Sequence, residues 1–213
     1  MTRHFPIFGC LLASCLWILS PLEGLAAGSS IPLFGHQEQQ NSGFEIFPLW
    51  TAVLQRNERE SPQEKKCPDA ACPTIDDWKH FLKSLTDKSF AVRVNSINAY
   101  ANRHRYVLDI DNYGVLDYWA TARQLLVRDG DCEDYAITKY TSLRQIGVNP
   151  DLMRVVVVQD TNLRIAHAVL ALYTANDILI LDNQIPEVTS HRAITHYVPV
   201  YSINERHWWM HLP

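Results

Sequence analysis

The stretch Arg128-Asp-Gly-Asp-Cys-Glu-Asp-Tyr-Ala-Ile-Thr-Lys-Tyr140 constrains this chain most, because it joins a tight turn to an amphipathic helix with one cysteine at the junction. Gly130 permits the turn and Asp131 suits the N-cap position. Ala136, Tyr140 and Leu143 then recur at helical spacing, and Gly147 is a natural stop. A thiol at a helix start has free backbone N–H groups and the positive end of the helix dipole beside it, and both favour the thiolate. Asp131, Glu133 and Asp134 oppose that by crowding the sulfur with negative charge. Either these carboxylates face away, or a bound cation cancels them.

The periodicity on either side of this stretch differs. Upstream it is helical. Phe47, Trp50, Val53 and Leu54 share one side of a helix expected over Phe44 to Arg56. Asn57 to Pro73 is charged and punctuated by Pro and Cys, hence a loop. Thr74-Ile-Asp-Asp77 starts a helix carrying Trp78, Phe81, Leu82 and Leu85, and Val94, Ile97 and Tyr100 mark another. Tyr106 to Tyr113 reads as extended or irregular. Downstream, Leu152 to Val158 is almost continuously apolar and β-branched, which marks a strand buried on both faces. Arg164 to Tyr173 and Ile178 to Leu181 follow as a hairpin across Thr174-Ala-Asn-Asp177, and His196 to Ile203 is a last strand. The aromatic tail, His207 to Pro213, is expected to pack back on the body. Helices first and an antiparallel sheet second make an α+β fold.

The first segment reads as an export signal over residues 1–26. Arg3 and His4 precede an apolar run from Phe5 to Leu19, and small residues at Gly24-Leu-Ala-Ala27 place cleavage near Ala26. Leu12-Ala-Ser-Cys15 offers a lipoprotein-type alternative, with little apolar sequence before it. Residues 27–43, rich in Gly, Ser and Gln, are expected to form a flexible leader, which leaves 44–213 as the folded domain. No stretch is long and apolar enough to span a bilayer, and a net charge of −4 with no basic stripe argues against a nucleic-acid partner. Removing the signal reduces five cysteines to Cys67, Cys72 and Cys132. In an oxidising compartment an odd count suggests one pair and one free thiol. Cys67 and Cys72 are near enough to close a small loop, so Cys132 is the one left over.

A nucleophilic cysteine needs a base and a group to orient that base. If the hairpin loop is the two residues Ala175 and Asn176, Thr174 faces Asp177 and Val169 opposes Asp182. His167, two residues before Val169, then shares a sheet face with Asp182 as a diagonal neighbour. Taken singly, a strand histidine is usually a packed or surface residue and a strand-end aspartate a turn residue. Together with an unpaired thiol on a helix start they nominate Cys132, His167 and Asp182. The Cys132 backbone N–H is one candidate oxyanion donor, with Trp119 or Asn183 as candidates for a second.

Gly130-Asp-Cys-Glu-Asp-Tyr-Ala-Ile137, Lys139-Tyr140, His167-Ala-Val-Leu170 and Leu181-Asp-Asn183 resemble the bacterial transglutaminase-like cysteine proteinases of the adhesin-processing type. The resemblance covers about Asp117 to Gln184. It implies a papain/transglutaminase-like core with Cys132 as nucleophile, His167 as base and Asp182 as orienter. It further implies a periplasmic, calcium-dependent endopeptidase that clips the N-terminal region of a large surface adhesin near a paired alanine. In such systems an inner-membrane receptor for cyclic di-GMP sequesters the protease, and its release disperses biofilm. Calcium takes hard oxygen ligands. By resemblance Asp131 and Glu133 lead the ligand set, with Asp134 beside them and Asp117 as a further candidate. Plain capping of the helix dipole by the same acids is the alternative. A transglutaminase or amidase acting on Gln side chains, and a non-enzymatic receptor-binding module, remain as rival functions on the same core.

Overall fold

The structure is a computed structural model that describes residues 1, 31–60 and 72–213. The expected export signal, and the pairing of Cys67 with Cys72, lie outside the described residues. No described helix is long and apolar enough to cross a membrane.

Helices α1 (Pro48–Glu60), α2 (Cys72–Ser84), α3 (Phe90–Ala101), α5 (Ala122–Arg128) and α6 (Cys132–Gln145), with the single turn α4 (Asp109–Asn112), precede most of the sheet. The strands are β1 (Gln37–Asn41), β2 (Met153–Asp160), β3 (Ile165–Tyr173), β4 (Ile178–Leu181), β5 (Thr189–Ser190), β6 (Tyr197–Ile203) and β7 (Trp208–Leu212). They form one antiparallel sheet in the order β1-β7-β6-β2-β3-β4-β5. The α+β reading therefore holds.

Two expectations are corrected. Gln37 to Asn41, assigned by composition to a flexible leader, is the edge strand β1. Its backbone pairs with the aromatic tail, Gln37 opposite Leu212 and Asn41 opposite Trp208. Polar alternation suits an edge strand with one wet face, so the Gln-rich composition misleads. The aromatic tail does pack back on the body, and it does so as a strand, β7. The helix expected to end at Arg56 continues to Glu60.

Alternate residues of β2 and β3 face opposite layers, which is why these strands are apolar throughout. Val155, Leu170 and Leu172 pack under Ala136, Ile137, Tyr140 and Leu143 of α6, together with Trp50 and Trp78. Val156, Val158, Val169 and Ala171 face the other side, covered by Leu33, Ile194 and Tyr197. α6 is thus buried along almost its whole length, its first turn included.

Candidate active site

Cys132 is the first residue of α6, as expected. Asp131 stands at the N-cap in an extended conformation (φ −113°, ψ −161°). The turn before it is strained and pinned. Asp129 adopts φ 66°, rare for a residue with a side chain, and its carboxylate accepts hydrogen bonds from Arg105 Nε at 2.9 Å and from the Arg105 N–H at 3.2 Å. Gly130 is required for space: a Cβ there would come within 2.2 Å of an Asp134 carboxylate oxygen. Its carbonyl accepts from the Val107 N–H at 2.9 Å, tying the 106–107 segment to the turn.

The hairpin has the two-residue loop that the sequence allows. Tyr173 pairs with Ile178 and Leu170 with Leu181, so Asp182 follows β4 opposite Val169. His167 Nε2 and Asp182 Oδ1 lie 2.9 Å apart, and both side chains are buried. Burial works to raise the Asp182 pKa. The hydrogen bond and charge of His167, the Gln184 N–H and the Tyr197 hydroxyl outweigh it and hold the carboxyl below its ordinary range. The pair is therefore an imidazole oriented by an ionised acid. On the other ring nitrogen, Gln184 Nε2 lies 3.3 Å from His167 Nδ1.

The thiol is not bonded to this pair. Cys132 Sγ donates to Glu133 Oε2 at 3.2 Å. Burial raises the thiol pKa, and the charge of Glu133 and Asp131 raises it further, while the Ala168 backbone beside the sulfur works the other way. Ala168 immediately follows His167 in β3, so helix start and histidine strand do meet. The carboxylates do not face away, and the charge conflict visible in the sequence is present in three dimensions.

Among the described residues, two groups of three acids present oxygens close enough to share an ion: Asp109, Asp131 and Asp134, and Asp109, Asp117 and Glu133. All four expected acids, Asp117, Asp131, Glu133 and Asp134, are thus gathered at one place. Asp109, common to both groups, went unrecognised because Tyr106 to Tyr113 has no periodicity that would assign it a direction; it starts α4 and is buried. Asp109 Oδ1 and Asp131 Oδ1 are buried without a hydrogen-bond partner, which suits a cation. Asp134 differs. Its Oδ1 accepts from the Ala120 N–H at 2.6 Å and its Oδ2 from the Asp131 N–H at 3.3 Å, so both oxygens tie backbone together. Burial, and then neighbouring charge, pushes Asp134 up to about 8. Burial likewise pushes Asp109 up to about 6. Glu133 is raised by burial and then by Asp131. Such a cluster holds protons unless a positive charge replaces them.

Of the two candidates for a second oxyanion donor, Trp119 packs in the helical core, edge-on to Trp50 at 6.2 Å. Asn183 follows Asp182, with its Oδ1 buried and unpartnered. Lys139, two turns along α6 from Cys132, is fully buried and its ammonium lacks a hydrogen-bond partner; burial pushes it down to about 7.

The site can therefore offer a thiol, a histidine oriented by a buried acid, and an oxygen-rich pocket beneath the thiol's turn. The family profile described as bacterial transglutaminase-like cysteine proteinase, BTLCP, matches residues 66–213. Among solved structures, Legionella pneumophila LapG is similar at 29% identity and a TM-score of 0.62, over 72% of this chain and 86% of that one. Its calcium-bound form gives 28% identity and 0.63 over the same shares. Its EGTA-treated form gives 29% and 0.63, over 72% of this chain and 84% of that one. No curated protein sequence matches the chain. With more than half of the chain covered by the family profile, and the fold shared with a member solved both with calcium and after EGTA treatment, this protein belongs to the bacterial transglutaminase-like cysteine proteinases.

Proposed function

We propose that this protein is a calcium-dependent cysteine endopeptidase of the periplasm, exported by residues 1–26. Its substrate is the N-terminal region of a large surface adhesin, cut near a paired alanine so that the adhesin is released and biofilm disperses. An inner-membrane receptor for cyclic di-GMP holds the protease back. The observation that carries the catalytic reading is the buried His167–Asp182 bond at 2.9 Å, next in sequence to the Ala168 backbone that borders the Cys132 sulfur.

In this reading the Cys132 thiolate attacks the scissile carbonyl, forming a thioester as the C–N bond breaks. His167 takes the Cys132 proton and delivers it to the leaving amine, then takes one from the water that hydrolyses the acyl-enzyme and returns it to the departing sulfur. Asp182 stays ionised and fixes the ring. The Cys132 backbone N–H, free at the helix start, donates to the oxyanion. Asp109, Asp131, Glu133 and Asp117 are the residues that fit a calcium ion, with Asp134 bracing the turn. When bound, the ion supplies positive charge that offsets the carboxylates around the thiol.

The test uses the purified chain with an adhesin N-terminal fragment and calcium. Cys132→Ala is expected to abolish cleavage, and His167→Ala to lower it by about a thousandfold or more. Calcium-selective chelation is expected to stop cutting, and excess calcium to restore it. Mass spectrometry should show hydrolysed peptides; Gln–Lys cross-links instead would assign the transglutaminase reaction. Undiminished cutting by Cys132→Ala would sink the nucleophile assignment.

A further inference from the structure

Tyr197 opens β6 and faces the sheet layer that carries His167. Its hydroxyl donates to Asp182 Oδ2 at 2.7 Å, in a buried position, and its ring centre lies 5.6 Å from that of His167. The Asp182 carboxylate is thereby fully specified. Oδ1 takes His167 Nε2 and the Gln184 N–H, both at 2.9 Å, and Oδ2 takes Tyr197. The main chain of the same residue is held by Asn102 Nδ2, from the C-cap of α3, which donates to its carbonyl at 2.8 Å.

A carboxylate bonded through one oxygen only can rotate about its Cβ–Cγ bond, and the imidazole it orients rotates with it. Capping the second oxygen removes that freedom. The cap is itself held from behind. Phe34 packs edge-on against Tyr197 at 6.0 Å, and its N–H donates to His191 Nδ1 at 3.0 Å, while Leu33 is fully buried in the same layer. The segment ahead of β1, which composition reads as a leader, is therefore a wall of the site.

Resting on the Cys132–His167–Asp182 reading, we propose that Tyr197 is a positioning residue of this protease: its hydroxyl fixes the rotation of the Asp182 carboxylate, and through it the His167 ring, while the segment Ile31–Gly35 backs the tyrosine. Tyr197 acts through Asp182, to which its hydroxyl donates.

Tyr197→Phe isolates the hydroxyl, because the ring and its packing remain. The full exported chain, loaded with calcium, is compared with wild type in two measurements. One is the rate at which iodoacetamide alkylates Cys132, normalised to active protein. The other is the low-field proton resonance of the His167–Asp182 hydrogen bond, assigned by its loss in His167→Ala. Tyr197→Phe is expected to slow alkylation about tenfold or more, and to shift or broaden the resonance. A merely structural tyrosine would lower Tm and leave both readouts in place. A smaller slowing, or an unmoved resonance, overturns the proposal. His167→Ala separates the two levels. If it too leaves alkylation unchanged, the catalytic reading fails; if it slows alkylation and Tyr197→Phe does not, only the tyrosine's role fails. Should Tyr197→Phe not fold, Phe34→Ala carries the same test, since it keeps the hydroxyl and removes its backing ring. A shifted resonance then supports the proposal and an unmoved one overturns it.

Discussion

Asp109 shows how much a single carboxylate can carry here. One oxygen accepts from the Tyr118 N–H, and the other is buried and unpartnered at the junction of both acid groups. Asp109→Asn keeps an acceptor for Tyr118 and removes the charge. It is expected to weaken calcium binding by about tenfold or more in calorimetric titration, with little change in the metal-free fold. Protonation gives a second prediction. Asp109 and Asp134 are raised to about 6 and about 8, and Glu133 is raised as well, whereas carboxylates of the unfolded chain titrate near about 4. The folded state thus binds the extra protons. The stability these groups contribute is fully present below about pH 4 and is lost as pH rises through about 6 to about 8. Calcium supplies the missing positive charge, so the Tm gained on adding it should grow between pH 5 and pH 8. A gain that is the same at both pH values would contradict the picture. Proton release on calcium binding, read as a buffer-dependent binding enthalpy, checks the same linkage.

At the scale of one element, the first turn of α6 depends on backbone ties more than on helix propensity. Asp134 bridges the Ala120 and Asp131 N–H groups, and Gly130 leaves it room. Gly130→Ala would drive a methyl group into that carboxylate. The expected cost is about 1–3 kcal/mol of stability, as for other overpacked sites, with a loss of calcium affinity because Asp131 shifts with the turn. Chemical denaturation and calcium titration of the same variant measure both. The dipole at the start of α6 also explains why an acid-crowded thiol is tolerated there at all. The dipole and the acids act in opposite directions on the sulfur, and the acids prevail, since the thiol donates to Glu133.

Across the whole molecule, the two ends of the folded chain are joined in the sheet. β1 pairs with β7, and Glu38 of β1 meets Arg154 of β2 at 2.7 Å across it. The Arg154 guanidinium sits 3.5 Å from the centre of the Trp209 ring and 4.2 Å from that of Tyr173, in a largely dry sandwich. Removing one partner of a buried ion pair costs about 3–5 kcal/mol, because the other charge is left unpaired. The ring contacts reduce that for Arg154. Glu38→Ala is therefore expected to lower stability by about 2–3 kcal/mol in urea denaturation, and more than Glu38→Gln, which keeps an acceptor. Because β1 continues from the segment that backs Tyr197, truncation to residue 44 should impair the site as well as the sheet. Active-site titration of the truncated chain would show that as a reduced reactive fraction.

Residue order alone determined the features that depend on local spacing. The turn-to-helix start at Cys132 and, for a two-residue hairpin loop, the parity that puts His167 beside Asp182 follow from periods of 3.6 and 2 and from turn chemistry. The acids adjacent to the thiol were equally legible, being neighbours in sequence. The tertiary structure alone decided the contacts between distant segments. Asp109 reaches the acid cluster through an irregular loop, Tyr197 reaches Asp182 from β6 across β2 and β3, and a Gln-rich edge strand finds its partner in the C-terminal tail. The physical reason is common to all three. Each depends on the path of an aperiodic connection, and a side chain's direction can be read from sequence only where the backbone repeats.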